Sequence, residues 1–134
     1  MISSSVNRSI NKQLYTEARN PVKNFILEEF DDIKKEMIRS FENHPVTREL
    51  DAGPKSSNIS KTLSKGNLFS FIGFDAGEKP TEVIRQSLHN SRIVISKGTK
   101  GTFNFDFFLP NMEELFKSTP LPWANGRSWL KGIE

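Results

Sequence analysis

From Pro21 to Glu42 the apolar residues Val22, Phe25, Ile26, Phe30, Ile33, Met37, Ile38 and Phe41 recur with charged residues between them. Steps of mostly three and four residues place them on one stripe of an amphipathic helix, which must lie against something apolar. Asn20 and Pro21 supply a cap residue followed by proline at the first helical position, and "NHP" at Asn43 to Pro45 ends the run. Upstream, residues 1–19 are polar and Ser-rich, although Ile2, Val6, Ile10 and Leu14 recur every four residues. That stretch reads as an arm, mobile or helical on a partner, ahead of a single domain over 20–134.

The chain offers modest material to cover such a helix. Of its 134 residues 35% are hydrophobic, below the roughly 45% or more of ordinary globular domains, yet 11 are Phe against one Tyr and two Trp. "GNLFSFIGF", Gly66 to Phe74, puts Phe69 and Phe71 at odd positions and Leu68, Ile72 and Phe74 at even ones. Read as a strand, it is sticky on both faces and needs cover on both, either between layers or from another subunit. "RIVIS" from Arg92 and "TFNFDFFL" from Thr102 read as two strands joined by "KGTKG"; Phe103, Phe105 and Phe107 share one face, and Asn104 and Asp106 make the other wet. "TEVIRQSLHN" and the segment after Asn111, where Glu114 completes a capping-box spacing, read as two short helices. The expected fold class is therefore α+β: a long N-terminal helix packed on a small, mainly antiparallel sheet with two short helices.

Charge is segregated although the net value is only +3. Residues 28–51 hold eight acids against four bases, and basic stretches lie on either side. Opposite patches on one molecule suit a contact that joins two different surfaces of neighbouring copies. Between Gly53 and Gly66 runs a Ser-, Asn- and Lys-rich segment carrying Lys55, Lys61 and Lys65 and no acid, read as a flexible basic loop that meets another subunit or phosphate.

Signatures of chemistry are missing. Without cysteine there is no disulfide framework, thiolate metal site or Cys nucleophile. His44 and His89, the only imidazoles, stand at helix ends where the ring satisfies backbone carbonyls, and neither has a second ligand at metal-binding spacing. No GxSxG elbow appears, and the glycines of "KGTKGT" join two strands rather than opening a helix as a phosphate loop does. The expectation is a non-enzyme with no metal and no cofactor. A small hydrolase is a poor third reading. Nothing approaches the roughly 20 apolar residues of a membrane span or the apolar core of a signal peptide, so synthesis in the cytoplasm is expected.

"NHPVTRE" (Asn43 to Glu49), "NLFSFIGF" (Asn67 to Phe74) and "GRSW" (Gly126 to Trp129) follow in that order. With these segments the chain, from about Pro21 onward, resembles virion structural proteins of tailed bacteriophages, in particular small neck, head-tail connector, tail-completion or tail-terminator proteins. The resemblance implies a homo-oligomeric ring of six or twelve copies in the phage neck or tail, with adjacent portal, connector or tail proteins as partners and double-stranded DNA in its channel. Residues expected at the interface or on DNA are Lys55, Lys61, Lys65, Phe69, Phe71, Phe74, Trp123, Arg127 and Trp129. The alternative is a small monomeric nucleic-acid-binding module that stacks bases on the Phe103 to Phe107 face, although that face carries no Lys or Arg at its alternate positions.

Overall fold

The computed structural model describes residues 4–133. Helix α1 runs from Ser4 to Asn43. It is followed by α2 (Pro45–Asp51), α3 (Leu68–Ile72), α4 (Glu82–His89), strands β1 (Arg92–Lys97) and β2 (Phe103–Phe108), α5 (Met112–Lys117), β3 (Pro120–Leu121) and β4 (Ala124–Ser128). The class is α+β, as the periodicities require. The sheet is two separate antiparallel pairs, β1 with β2 and β3 with β4.

Pro21 does not open α1 but sits inside it. Proline's fixed φ is helical, but inside a helix it removes one i to i−4 hydrogen bond and its ring crowds the carbonyl four residues back; α1 nonetheless runs through it. The reading of residues 1–19 as an arm concerns side chains that lie outside the described residues.

The span read as one domain, 20–134, belongs to two compact units: α1 up to Ile33 with Arg92–Phe108, and Lys34–Ser91 with the chain from Leu109 onward. In the first unit β1 and β2 pair in register Ile93 to Phe107, Ile95 to Phe105 and Lys97 to Phe103. Residues directly opposite share a face, so Ile93, Ile95 and the three odd-numbered Phe form one apolar side. Phe30 of α1 meets Phe107 there at a centroid distance of 5.9 Å. On the opposite face the Arg92 guanidinium lies 4.5 Å from the centre of the Phe108 ring. The turn needs two left-handed residues in a row, supplied by Lys100 (φ 55°) and Gly101 (φ 80°).

In the second unit Leu50, Leu68, Phe69, Ile72, Ile84, Leu88, Leu115 and Trp129 form the core, with Met37, Ile38 and Phe41 of α1 half-buried against it. The expected strand at Gly66 to Phe74 is the short helix α3. Asn67 caps its start, the side-chain oxygen accepting from the Ser70 amide at 2.9 Å. Gly73 ends it in the left-handed region (φ 92°), and the amides of Gly73 and Phe74 both donate to the Phe69 carbonyl. Helical turning resolves the two-sided stickiness. Leu68, Phe69 and Ile72 face inward, whereas Phe71, 70% exposed, points to solvent. Phe74 packs between Phe69 (5.4 Å) and Trp129 (5.8 Å, edge to face).

Candidate functional site

Three features of the second unit organise what it presents to solvent. The first is Glu49, a fully buried carboxylate on α2. Its Oε2 accepts from the Ser60 amide at 2.6 Å and its Oε1 from the Leu68 amide at 2.7 Å. Burial raises its pKa, but the hydrogen bonds from Ser60, Leu68 and Ile59 outweigh burial and hold the carboxyl below the usual range. Asn67 adds a second clasp, its amide nitrogen donating to the carbonyls of Pro54 (3.1 Å) and Ser56 (2.9 Å). The basic loop, expected to be flexible, is thus tied at its beginning, middle and end. Lys55, Lys61 and Lys65 remain on its exposed side.

The second feature is Arg85 on α4, held by three carboxylates. Its guanidinium donates to Glu42 at 2.6 Å, to Asp51 at 2.7 Å and to Glu82 at 2.7 Å. The Arg85 hydrogen bond is the main cause that lowers the pKa of Glu42 and of Glu82, and the same Glu42 contact pushes the guanidinium up. Three acids around one base leave this corner negative.

Beside that corner opens the third feature, an apolar groove of about 480 Å³. Phe41, Leu50, Ile84, Met112, Phe116 and Trp129 wall it, with His44 and Thr81 among its polar lining. Arg85 reaches over Phe41 (5.9 Å to the ring centre), and the Thr81 hydroxyl donates to Asp51, so cluster and groove share an edge. His44 does not satisfy carbonyls at the end of α1. It caps the start of α2, its Nδ1 accepting from the Val46 amide at 3.3 Å.

The interface residues expected from sequence divide cleanly. Phe69 and Trp129 are core side chains, 1% and 4% exposed, and Phe74 is half-buried between them, so these three pack within the unit. At α3 the reason is helical geometry; the Trp129 amide donates to the Thr119 carbonyl at 2.9 Å, and its ring packs edge to face on Phe74 in the core. Phe71 and Trp123 are exposed. Trp123 is nonetheless fixed: its indole N–H donates to the Ile72 carbonyl at 2.7 Å and its ring edge lies against Gly73. Arg127 borders a separate cleft with Lys117 and Lys131. Sequence reasoning passed over Glu49 and Arg85. Glu49 ends "NHPVTRE", and neither its burial nor the grouping of Glu42, Asp51 and Glu82 has a signature in spacing.

The segments "NHPVTRE", "NLFSFIGF" and "GRSW" meet in this unit: Glu49 accepts from Leu68, and Phe74 meets Trp129 edge to face. In the first unit, by contrast, Phe25 (61%), Ile33 (65%) and Phe107 (57%) leave an apolar surface in solvent. No helix among the described residues is long and apolar enough to cross a membrane. No family model matches this chain, and no curated protein and no solved structure matches it.

Proposed function

We propose that this protein is a structural component of a tailed-phage virion that assembles with copies of itself into a ring at the head-tail junction. The observation that supports this most is the pairing of two unlike apolar surfaces on one chain. One unit exposes Phe25, Ile33 and Phe107, and the other carries the groove walled by Phe41, Ile84 and Met112. Exposed apolar surface rimmed by polar groups marks interaction sites, and two different surfaces are what a ring of identical copies requires. The sequence resemblance supplies the virion context. Lys55, Lys61 and Lys65, exposed on the anchored loop, suit contact with a neighbour or with channel DNA.

Light scattering on a sizing column, at low and moderate salt, tests the reading. A discrete hexamer or dodecamer of the 15.3 kDa chain is expected, and a monomer at every concentration contradicts it. The cleft bordered by Arg127, Lys131 and Lys117, the last paired with Glu113 at 2.9 Å, favours a second reading, a nucleic-acid-binding module. That reading expects duplex DNA to bind with an affinity that falls steeply with salt, and loss of binding on Arg127→Ala.

A further inference from the structure

The ring reading leaves open which surfaces meet, and the inference drawn here rests on that reading. The β1–β2 pair is a ribbon of two strands, each paired on one side only. Such a hairpin is marginal by itself in water and gains from cover. It exposes Val94 and Phe108 on the face opposite the Phe30 contact and part of Phe107 on the other, and carries Arg92, Lys97 and Lys100 against a single acid, Asp106. The groove of the second unit has the opposite character at its edge, where Glu42, Asp51 and Glu82 surround one guanidinium. At its mouth stands Met112, 54% exposed, an adaptable side chain suited to receiving aromatic groups.

We infer that the apolar groove receives the β1–β2 hairpin of a second copy of this chain, with the hairpin's cations facing the carboxylate-rich edge. The other exposed apolar groups fit less well. The α1 surface around Phe25 brings Glu28 and Glu29, the same sign as the groove edge. Trp123 is already engaged by its bond to Ile72 and its contact with Gly73, and α3, which carries Phe71, has no charged residue to match the edge. Because hairpin and groove are different surfaces, the contact is heterologous, and copy follows copy until the ring closes.

Two full-length variants test this, each first shown by circular dichroism and thermal melting to keep its fold. Phe107→Asp spoils the hairpin and leaves the groove; Met112→Asp spoils the groove and leaves the hairpin. Each alone is expected to weaken association at least about tenfold, as loss of an anchoring apolar contact does. Mixed in equal amounts, they retain one intact hairpin and one intact groove between them. The mixture is therefore expected to give a species of two chains and to stop there. Should Phe107→Asp fail to fold, Lys100→Glu in the exposed turn takes its place, with the same loss and the same rescue expected. Variants that assemble like the wild type overturn the inference and assign the groove to another occupant, such as a small apolar ligand. Folded variants that stay monomeric even when mixed overturn it too, in favour of a contact between like surfaces. In both cases an oligomeric wild type leaves the ring reading standing, whereas a monomeric wild type removes both.

Discussion

The stripe of α1 meets two fates along one helix. Met37, Ile38 and Phe41 are half-buried against the core of the second unit, whereas Val22, Phe25 and Ile33, on the same stripe, stay in solvent in the first. Periodicity says which face of a helix is apolar but not what covers it. In the second unit, four short helices and a two-strand ribbon converge on Phe69 and Leu50. In the first, one hairpin lies on the helix at Phe30 and Phe107, and Val22, Phe25 and Ile33 stay exposed. One unit is finished within the chain, and the other leaves apolar surface in solvent, which the proposed association would cover.

The difference can be broken most forcefully at Phe69. Phe69→Ala empties a fully buried site and is expected to cost about 3–5 kcal/mol in urea unfolding, whereas Phe71→Ala, two residues along α3, is expected to stay within about 0.5 kcal/mol. Equal costs would return this segment to a two-sided strand.

Glu49 comes next. Glu49→Ala strands the amides of Ser60 and Leu68 and is expected to cost about 1–3 kcal/mol for each. Glu49→Gln tests the charge. A carboxyl whose pKa is lowered by folding contributes stability above its ordinary value of 4.5, and that contribution is lost as pH falls through the lower folded value. The Gln variant is expected to be less stable at neutral pH and to lose less than the wild type on going below about pH 4.5.

Arg85→Ala leaves Glu42, Asp51 and Glu82 facing one another. Hydrogen bonds to charged groups suggest a loss of about 1.5–3 kcal/mol, trimmed here because the carboxylates are partly exposed and solvent screens them. Raising salt is expected to narrow the gap between variant and wild type in thermal melts. The smallest effect on folding is expected in the first unit: Phe25→Ser should change stability by less than about 0.5 kcal/mol and, lying outside the hairpin, reduce association measured by light scattering far less than Phe107→Asp does. A large stability loss there would mean that Phe25 is already covered.

Elements with a long or clean pattern were legible in the sequence. The helix through Pro21–Glu42, the two strands with their turn, and the Asn111 cap came out as the spacing indicates, with the Asn111 oxygen accepting from Glu113 at 2.9 Å. The α3 segment was misread because five apolar residues in nine satisfy a two-faced strand as well as a short helix. Asn67 and Gly73, six residues apart, are the caps that decide it, and over one and a half turns they outweigh alternation. The candidate site was less legible. Lys55, Lys61 and Lys65 could be placed on the surface from composition, but the Glu49 clasp joins residues 11 and 19 positions apart, and the Arg85 cluster joins α1, α2 and α4. Such contacts depend on tertiary packing, which no local period carries.

The division between a finished and an unfinished unit is tested most directly by amide hydrogen exchange across a dilution series. Amides of the second unit's core, such as those of Leu68 and Leu88, are expected to exchange slowly at every concentration. Amides in the β1–β2 ladder are expected to become slow only as the chain associates. A ladder that exchanges as slowly as the core in dilute, monomeric protein would contradict the account, because the first unit would then be complete without a neighbour.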